Sequence, residues 1–504
     1  MKSGYLAFIV DGSVEFDRLL EKIQALFHVQ EEAVLRVDEQ YLDTFDWRVY
    51  ANGFVLRRKD TRFILAPLPG MPILETDGPK KTKLFWWDFP EGAFKDSLAA
   101  ISGNRALCPV LGVAGVRRNF RVRNRDEKMV LRIHLDTGEA IVDDNRVSIA
   151  PYLCLQGVRG YPGPFQRITE LLKKNGCREL QAGESFFDLT LRVIGRRPLD
   201  YKTKFSEIIE TGQTTGQAIS AIGLALHTLM ERNLPGILED RDTEFLHDFR
   251  VAIRRIRALL SQLKKEIPPG QAGVFEQEFK WLGSVAGLVR DLDVCLQKEA
   301  AYRDLLPESL HRGLALLMEE TQRQRKARLL TMQEDLRSAR AVRLLANWHD
   351  FLTAWSADLG WPAGQVPCRK VAARVVRGCF RRLVRDASAV IQGEKQDAII
   401  HKLRIQAKKF RYMSEFFHRF FPEAPMDALV KELRELQDDL GDFNDLAVQV
   451  RGFQQYRDAL PADKTIGEAL EALLLCLAAE KKRMLKRCVT QCAKFMKRDR
   501  LHLF

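Results

Sequence analysis

The stretch 247-HDFRVAIRRIR-257 occurs twice in this chain. It returns as 401-HKLRIQAKKFR-411, 154 residues on and without a gap, with His first and basic residues at the third, seventh, eighth and tenth positions after it in both copies. The register persists downstream, where Pro268 answers Pro422 and 287-GLVRDL-292 answers 441-GDFNDL-446. Self-similarity at this distance identifies a duplicated helical unit, not a short-repeat solenoid.

Winding each copy at about 100° per residue separates its side chains into two faces. Arg250, Arg254 and Arg257 fall in a narrow band beside His247, while Phe249, Ala252, Ile256, Leu259, Leu260 and Leu263 lie opposite. The second copy puts Arg404, Lys408 and Arg411 in the band of His401, with Leu403, Phe410, Met413 and Phe417 opposite. Each helix is therefore expected to bury one face and to present a row of cations with the other. Arg255 and Lys409 complete the shared basic pattern, and Tyr412 is the one aromatic residue in the basic bands.

A third row precedes the second copy. Arg374, Arg377, Arg381 and Arg385 share one helical face, opposite Val376, Phe380 and Leu383, and their register partners in the first copy are Ser220, Gly223, His227 and Glu231. The cationic surface is thus expected to be richer on the second half. Asp291 and Asp445 recur in register and could orient the basic side chains or stand as ordinary helix-end acids.

The chain has 504 residues, long for one hydrophobic core, which predicts two to four domains. Its net charge of +13 points to polyanionic partners: nucleic acid, an anionic membrane or a phosphate polymer. Residues 1–200 hold 30 Lys and Arg against 27 Asp and Glu, whereas residues 201–504 hold 50 against 40, so the second part is the expected holder of the partner. The nine cysteines form no CxxC pair, as expected in a reducing compartment, and Cys488 and Cys492 have no companion ligands for a metal. The opening MKSGYLAFIVDG has too short an apolar run for a signal-peptide core, and no apolar run approaches a membrane span. A cytoplasmic protein with no membrane partner is expected.

Residues 1–195 alternate short β-branched runs (Tyr5–Val10, Phe54–Arg58, Val130–Leu135, Glu139–Val142) with helices near 13–28 and 164–175, which predicts an antiparallel α+β domain. The stretch 41-YLDTFDWRVYANGFVLRRKD-60 resembles the Tyr-Tyr-Asp-Thr-Pro-Asp…Leu-Arg-x-Arg signature of CYTH, or triphosphate tunnel, domains; Pro109-Val110, Arg117-Arg118 and 131-LRIHLD-136 follow in the order that family uses. The resemblance implies a closed antiparallel tunnel whose inward cations bind a triphosphate while glutamates hold a divalent metal. Arg57, Arg58, Lys81, Lys83, Arg117 and Arg118 are the candidate phosphate contacts. The family's opening Glu-x-Glu-x-Lys is absent: 3-SGYLAFIVD-11 has no carboxylate at either Glu position and no Lys, and 152-YLCLQGVRG-160 supplies no glutamate either. A hard cation needs such oxygen ligands, so the domain is expected to be a catalytically degenerate relative, with no metal and no cofactor.

Residues 196–213 read as a linker, and residues 214–504 as helical, broken at Leu234-Pro235-Gly236, Pro268-Pro269-Gly270 and Trp361-Pro362. Two pseudo-symmetric four-helix bundles, about 214–360 and 361–504, are expected. The double motif, His-x-x-Arg-Val-x-x-Arg-Arg-x-Arg with Gly-x-x-Arg-Asp and His-x-x-Arg-x-x-x-Lys-Lys-x-Arg-Tyr with Leu-Gly-x-x-Asn-Asp, resembles the CHAD domain, and CYTH followed by CHAD is an arrangement known in that family. The resemblance implies binding of inorganic polyphosphate along a basic surface, with location at polyphosphate granules a further implication. A row of Arg and Lys at helical spacing suits a polymer whose only features are regularly spaced anionic oxygens. Two alternatives stand beside this non-enzymatic reading: a metal-dependent triphosphatase in the N-terminal part, and a nucleic-acid-binding module. Against the latter, single-strand binders interleave aromatic platforms with their cations, and here the bands carry only Tyr412.

Overall fold

The computed structural model describes residues 5–497 except 11–14, 68–72, 143–144, 182–183, 202–204, 206, 358–360, 394–395 and 460–463. Two compact units divide the chain, Met1–Lys202 and Thr203–Phe504. The expected linker 196–213 spans this division, with positions 202–204 and 206 outside the described residues; so are positions 3, 4 and 11 of the opening strand motif.

The first unit comprises β1 (Tyr5–Val10), α1 (Phe16–Gln24), β2 (His28–Glu31), β3 (Leu35–Thr44), α2 (Arg48–Ala51), β4 (Phe54–Lys59), β5 (Arg62–Pro67), β6 (Leu74–Asp77), α3 (Ala93–Ser102), β7 (Leu107–Arg123), β8 (Met129–Val142), β9 (Asn145–Gly157), α4 (Pro162–Lys174), β10 (Cys177–Glu179) and α5 (Phe186–Val193). All ten strands join one antiparallel sheet in the order β10-β1-β9-β8-β7-β3-β4-β5-β6, with β2 also on β7. This corrects the expected closed tunnel. Among the described residues β10 and β6 end the sheet and do not pair with each other, so the sheet is not closed.

Alternation along β1, β7, β8 and β9 buries Phe8, Val122, Ile133 and Leu155 against Leu19 and Ile23 of α1 and Ile168 and Leu172 of α4. At the other end, Leu42, Leu56 and Phe63 pack on Phe94 and Leu98 of α3. The two runs read separately as Val130–Leu135 and Glu139–Val142 are one strand, β8, whose register shifts between Asp136 and Gly138. Gly138 faces Gly115 of β7, and a Cβ on Gly138 would lie 2.3 Å from the Ala114 carbonyl oxygen. Glycine here permits close approach of two backbones and does not interrupt the strand.

The second unit is helical: α6 (Thr215–Leu238), α7 (Thr243–Gln262), α8 (Gln271–Gln297), α9 (Glu299–Leu305), α10 (His311–Arg337), α11 (Ala339–Ala357), α12 (Cys368–Ile391), α13 (Gln396–Phe416), α14 (Glu423–Ala459) and α15 (Lys464–Met496). The start of α6 is fixed by a capping box of Thr214 and Gln217, that of α7 by Asp242, whose side chain accepts from the Glu244 and Phe245 amides. Leu234-Pro235-Gly236 is not a break. Pro235 lies inside α6, where Gly236 lets the Phe245 ring come so close that a Cβ would sit 2.4 Å from it. Tertiary packing here outweighs the lost proline donor.

In packing, α6 lies on α7 and α11, α8 on α7, α10 and α11, and, in the second half, α12 on α13 and α15 and α14 on α13 and α15. The halves meet through α7 on α13, α6 on α12, α8 on α14, and α9 and α10 on α15. No helix among the described residues is long and apolar enough to cross a membrane.

Candidate polyanion-binding site

The apolar faces read from the sequence are buried. Phe249, Ala252, Ile256, Leu259 and Leu260 of α7 and Leu403, Ala407, Phe410 and Met413 of α13 are each almost fully inaccessible. The cationic faces lie elsewhere than expected. A helical wheel put them toward solvent, whereas α7 and α13 pack on each other, and Arg250, Arg254, Arg255, Arg257, Arg404, Lys408, Lys409 and Arg411 are all partly buried. Tyr412, 2 % exposed, is buried among them.

The charges of the two copies act on one another. Arg254 of α7 is an electrostatic neighbour of Arg404, Lys408 and Tyr412 of α13. Arg404 Nη2 donates to Asp445 Oδ1 of α14 at 3.2 Å; in the first copy Arg250 Nη2 stands 4.0 Å from Asp291 Oδ1 of α8, and its Nη1 donates to the Ala286 carbonyl at 2.7 Å. Asp291 in turn feels Asp445 and Arg404. Arg255 of α7 reaches Glu415 of α13 at 2.8 Å, with its guanidinium 5.4 Å from the centre of the Tyr412 ring.

This crowding shows in the titration of its members. Burial, then Arg254 and Arg404, pushes the Lys408 amine down to about 6, opposed by Asp445. Burial likewise lowers Arg250, to about 10, and lowers Arg404 and Lys409. Burial pushes the Tyr412 phenol up, but Arg254, Arg411 and Arg255 outweigh it and the net direction is down. Burial raises the Asp291 carboxyl. The Nε atoms of Arg254, Arg404 and Arg411 are buried without a hydrogen-bond partner, and Arg411 Nε stands 3.6 Å from Glu415 Oε1, beyond hydrogen-bond reach. Buried donors are ordinarily paired, so the three unpaired guanidinium N–H groups beside Lys408 are donors with hydrogen-bonding capacity to spare.

His401 lies with Nδ1 2.7 Å from Asn444 Oδ1, whereas the residue in register with Asn444 is Arg290, which turns to the Thr243 carbonyl at 3.4 Å.

The third row is on α12. Arg374 pairs with Glu266 and Arg385 with Asp386, while Arg377 and Arg381 are exposed and make no ion pair among the described residues. The matching face of α6 is covered by α11: a Cβ on Gly223 would lie 2.6 Å from Leu352, and the His227 and His349 rings stand 5.3 Å apart. On α12, by contrast, Arg377 and Arg381 leave this face exposed and cationic among the described residues.

Residues 221–454 match the family model described as the CHAD domain. The helical unit carries a CHAD domain. The crystal structure of the CHAD domain from the plant Ricinus communis is similar to it, with a TM-score of 0.50 and 24% identity over 57% of this chain and 94% of that one, a likeness of fold. PptA from Streptomyces chartreusis aligns at a TM-score of 0.45 and 16% identity, over 57% of this chain and all of that one. No curated protein matches the chain in sequence.

Every helical site residue named from the sequence lies inside the CHAD match. Three partners escaped that reading: Glu415, which ties Arg255 and Arg411 together; Glu266, which holds Arg374; and Arg382, which donates to Gln262. Glu415 was detectable as the acid four residues after Arg411. Glu266 and Gln262 contact α12 only through the fold.

Outside the CHAD domain, the six candidate phosphate contacts of the sheet do not converge on one place. Arg57 pairs with Glu39 at 3.2 Å and Arg117 with Asp136 at 2.6 Å, both around Tyr41. Arg58 donates to the Lys81 carbonyl, Lys81 pairs with Asp88, Lys83 lies 5.6 Å from the centre of the Phe85 ring, and Arg118 is held by Glu31 and Asp17. No group of three or more His, Cys, Asp or Glu side chains among the described residues is placed to hold a metal ion.

Proposed function

We propose that the CHAD domain binds inorganic polyphosphate, non-enzymatically, where its two copies meet. The observation that carries the reading is the convergence of Arg254, Arg404, Lys408 and Arg411 from α7 and α13 with buried guanidinium N–H groups left unpaired. Among the described residues Asp445 and Glu415 pair with members of this cluster, and Asp291 also acts on Arg404. A linear polyanion would supply the oxygens, Arg offering paired N–H groups and Lys a point charge. Asp291 and Asp445 are proposed to orient Arg250 and Arg404, with His247 and His401 at the helix starts beside them. From this junction the open α12 face, through Arg377 and Arg381, would extend the track for a longer chain. Binding by many such contacts releases counterions and weakens with salt.

The N-terminal unit is proposed to be a degenerate CYTH relative that releases no phosphate, because it lacks the Glu-x-Glu-x-Lys carboxylates and its Arg57, Arg117 and Arg118 are paired with its own acids. The nine free cysteines fit a reducing, cytoplasmic setting.

Replacing Arg254 and Arg404 by Gln tests the reading. Glutamine is preferred to glutamate, which would add repulsion beside Asp445. Long-chain polyphosphate is expected to bind about tenfold more weakly for each substitution, with an unchanged circular dichroism spectrum. Undiminished affinity in a folded double variant would make the cluster structural.

A further inference from the structure

Lys408 differs from its neighbours on α13. Arg404 is held by Asp445 and Arg411 lies beside Glu415, but the partly buried Lys408 amine has no ion pair or hydrogen bond among the described residues. From α7 it faces Arg254; along its own helix it faces Arg404 and Arg411; from α14 its one opposing charge is Asp445, which Arg404 already engages. On α12, the remaining helix packed on α13, Asp386 addresses Lys402, and Arg382 and Cys379 neighbour Lys409.

Desolvation and three like charges act on this amine in one direction, and the Asp445 carboxylate opposes them. A guanidinium does not shed its proton under such pressure, whereas an ammonium does. The relief available to the cluster when no anion is bound is therefore deprotonation of Lys408, in keeping with its titration at about 6. An anionic oxygen entering between α7 and α13 reverses the balance, because it adds the negative charge that the empty cluster lacks.

We propose that Lys408 couples anion capture to protonation: its Nζ lone pair takes a proton from the solvent buffer as a phosphate oxygen enters between α7 and α13, so that acid tightens the grip and alkali loosens it. This rests on the polyphosphate reading above. By linkage, affinity falls by up to about tenfold per pH unit between the free and bound titration points of one such group. Below the free titration point the dependence on Lys408 flattens, since the amine is already charged.

The test is calorimetry of the full chain with long-chain polyphosphate near pH 7.5 in two buffers of different ionisation heat, for the wild type, Lys408→Arg and Lys408→Met. The wild type is expected to take up about one proton more per bound site than either variant. Lys408→Arg should bind at least as tightly as the wild type in alkali, and Lys408→Met, which needs no buried charge to fold, should lose the extra pH dependence. Equal proton uptake by wild type and both folded variants overturns the coupling and leaves polyphosphate binding standing. Absence of any polyphosphate binding by the wild type at low salt overturns both.

Discussion

Arg404 Nη2 donates to Asp445 Oδ1 across α13 and α14 at 3.2 Å. The corresponding pair in the first copy, Arg250 and Asp291, stands at 4.0 Å, and Arg250 spends its short hydrogen bond on the Ala286 carbonyl. Duplication kept the residues in register while the two halves came to differ in how their cations are held, and the second half holds its arginine by a carboxylate.

The crowding at Lys408 has a consequence for stability without any ligand. Its titration point in the folded state lies near 6, below the usual lysine range, so between about 6 and 10 the unfolded chain binds more protons than the folded one. The sign follows: this group's contribution is present in alkali and is progressively lost as pH falls toward 6. Lys408→Met should therefore raise the melting temperature more at pH 6 than at pH 9. An equal shift at both values would show that the amine is not under the pressure described.

Arg377 and Arg381 of α12 are exposed and without ion pairs among the described residues, so they can be changed at little cost to the fold. Arg377→Gln with Arg381→Gln should leave the melting temperature within about 1 °C and lower the salt slope for long polyphosphate by about one unit per cation removed. Short chains that reach only the α7–α13 junction should bind as before. An unchanged slope with long chains would take α12 out of the track.

Gly313 of α10 meets α15. A Cβ there would lie 2.3 Å from the Thr465 carbonyl oxygen and 2.7 Å from Ala469 Cβ, so backbone, not a pliable side chain, must yield. Gly313→Ala is expected to cost about 1–3 kcal/mol in chemical denaturation by separating the two helices. A midpoint like that of the wild type would contradict this contact.

Arg117 and Asp136 form a two-fold hydrogen-bonded pair in the sheet, at 2.6 and 2.8 Å. The arginine is 37% exposed, so Arg117→Gln should cost only about 1 kcal/mol. Polyphosphate affinity should not change, and a loss of affinity would return the sheet to the binding surface.

The helical half was legible because its signal is local. The repeat and the apolar faces of α7 and α13 are matters of spacing along one helix. What meets the other face of a helix is not local. The wheel placed Arg254 and Lys408 opposite the core and so in water, whereas the helices of the two copies turn those faces toward each other. Nor did the register partners Ser220, Gly223 and His227 reveal that α11 covers them, since that contact comes from a helix far along the chain. Pro235 misled because Gly236 and Phe245 pack tightly enough to carry α6 past it. In the sheet, short β-branched runs were readable as strands, but the open edges at β6 and β10 depend on strand pairing that no short motif encodes.

The most direct test of polyphosphate recognition is competition at fixed salt, with labelled long-chain polyphosphate displaced by unlabelled polyphosphate, single-stranded RNA or duplex DNA of equal phosphate content. The cluster of Arg254, Arg404, Lys408 and Arg411, with Tyr412 buried rather than offered for stacking, predicts that polyphosphate displaces the label at a lower concentration than either nucleic acid. Equal or better displacement by RNA or DNA would contradict it.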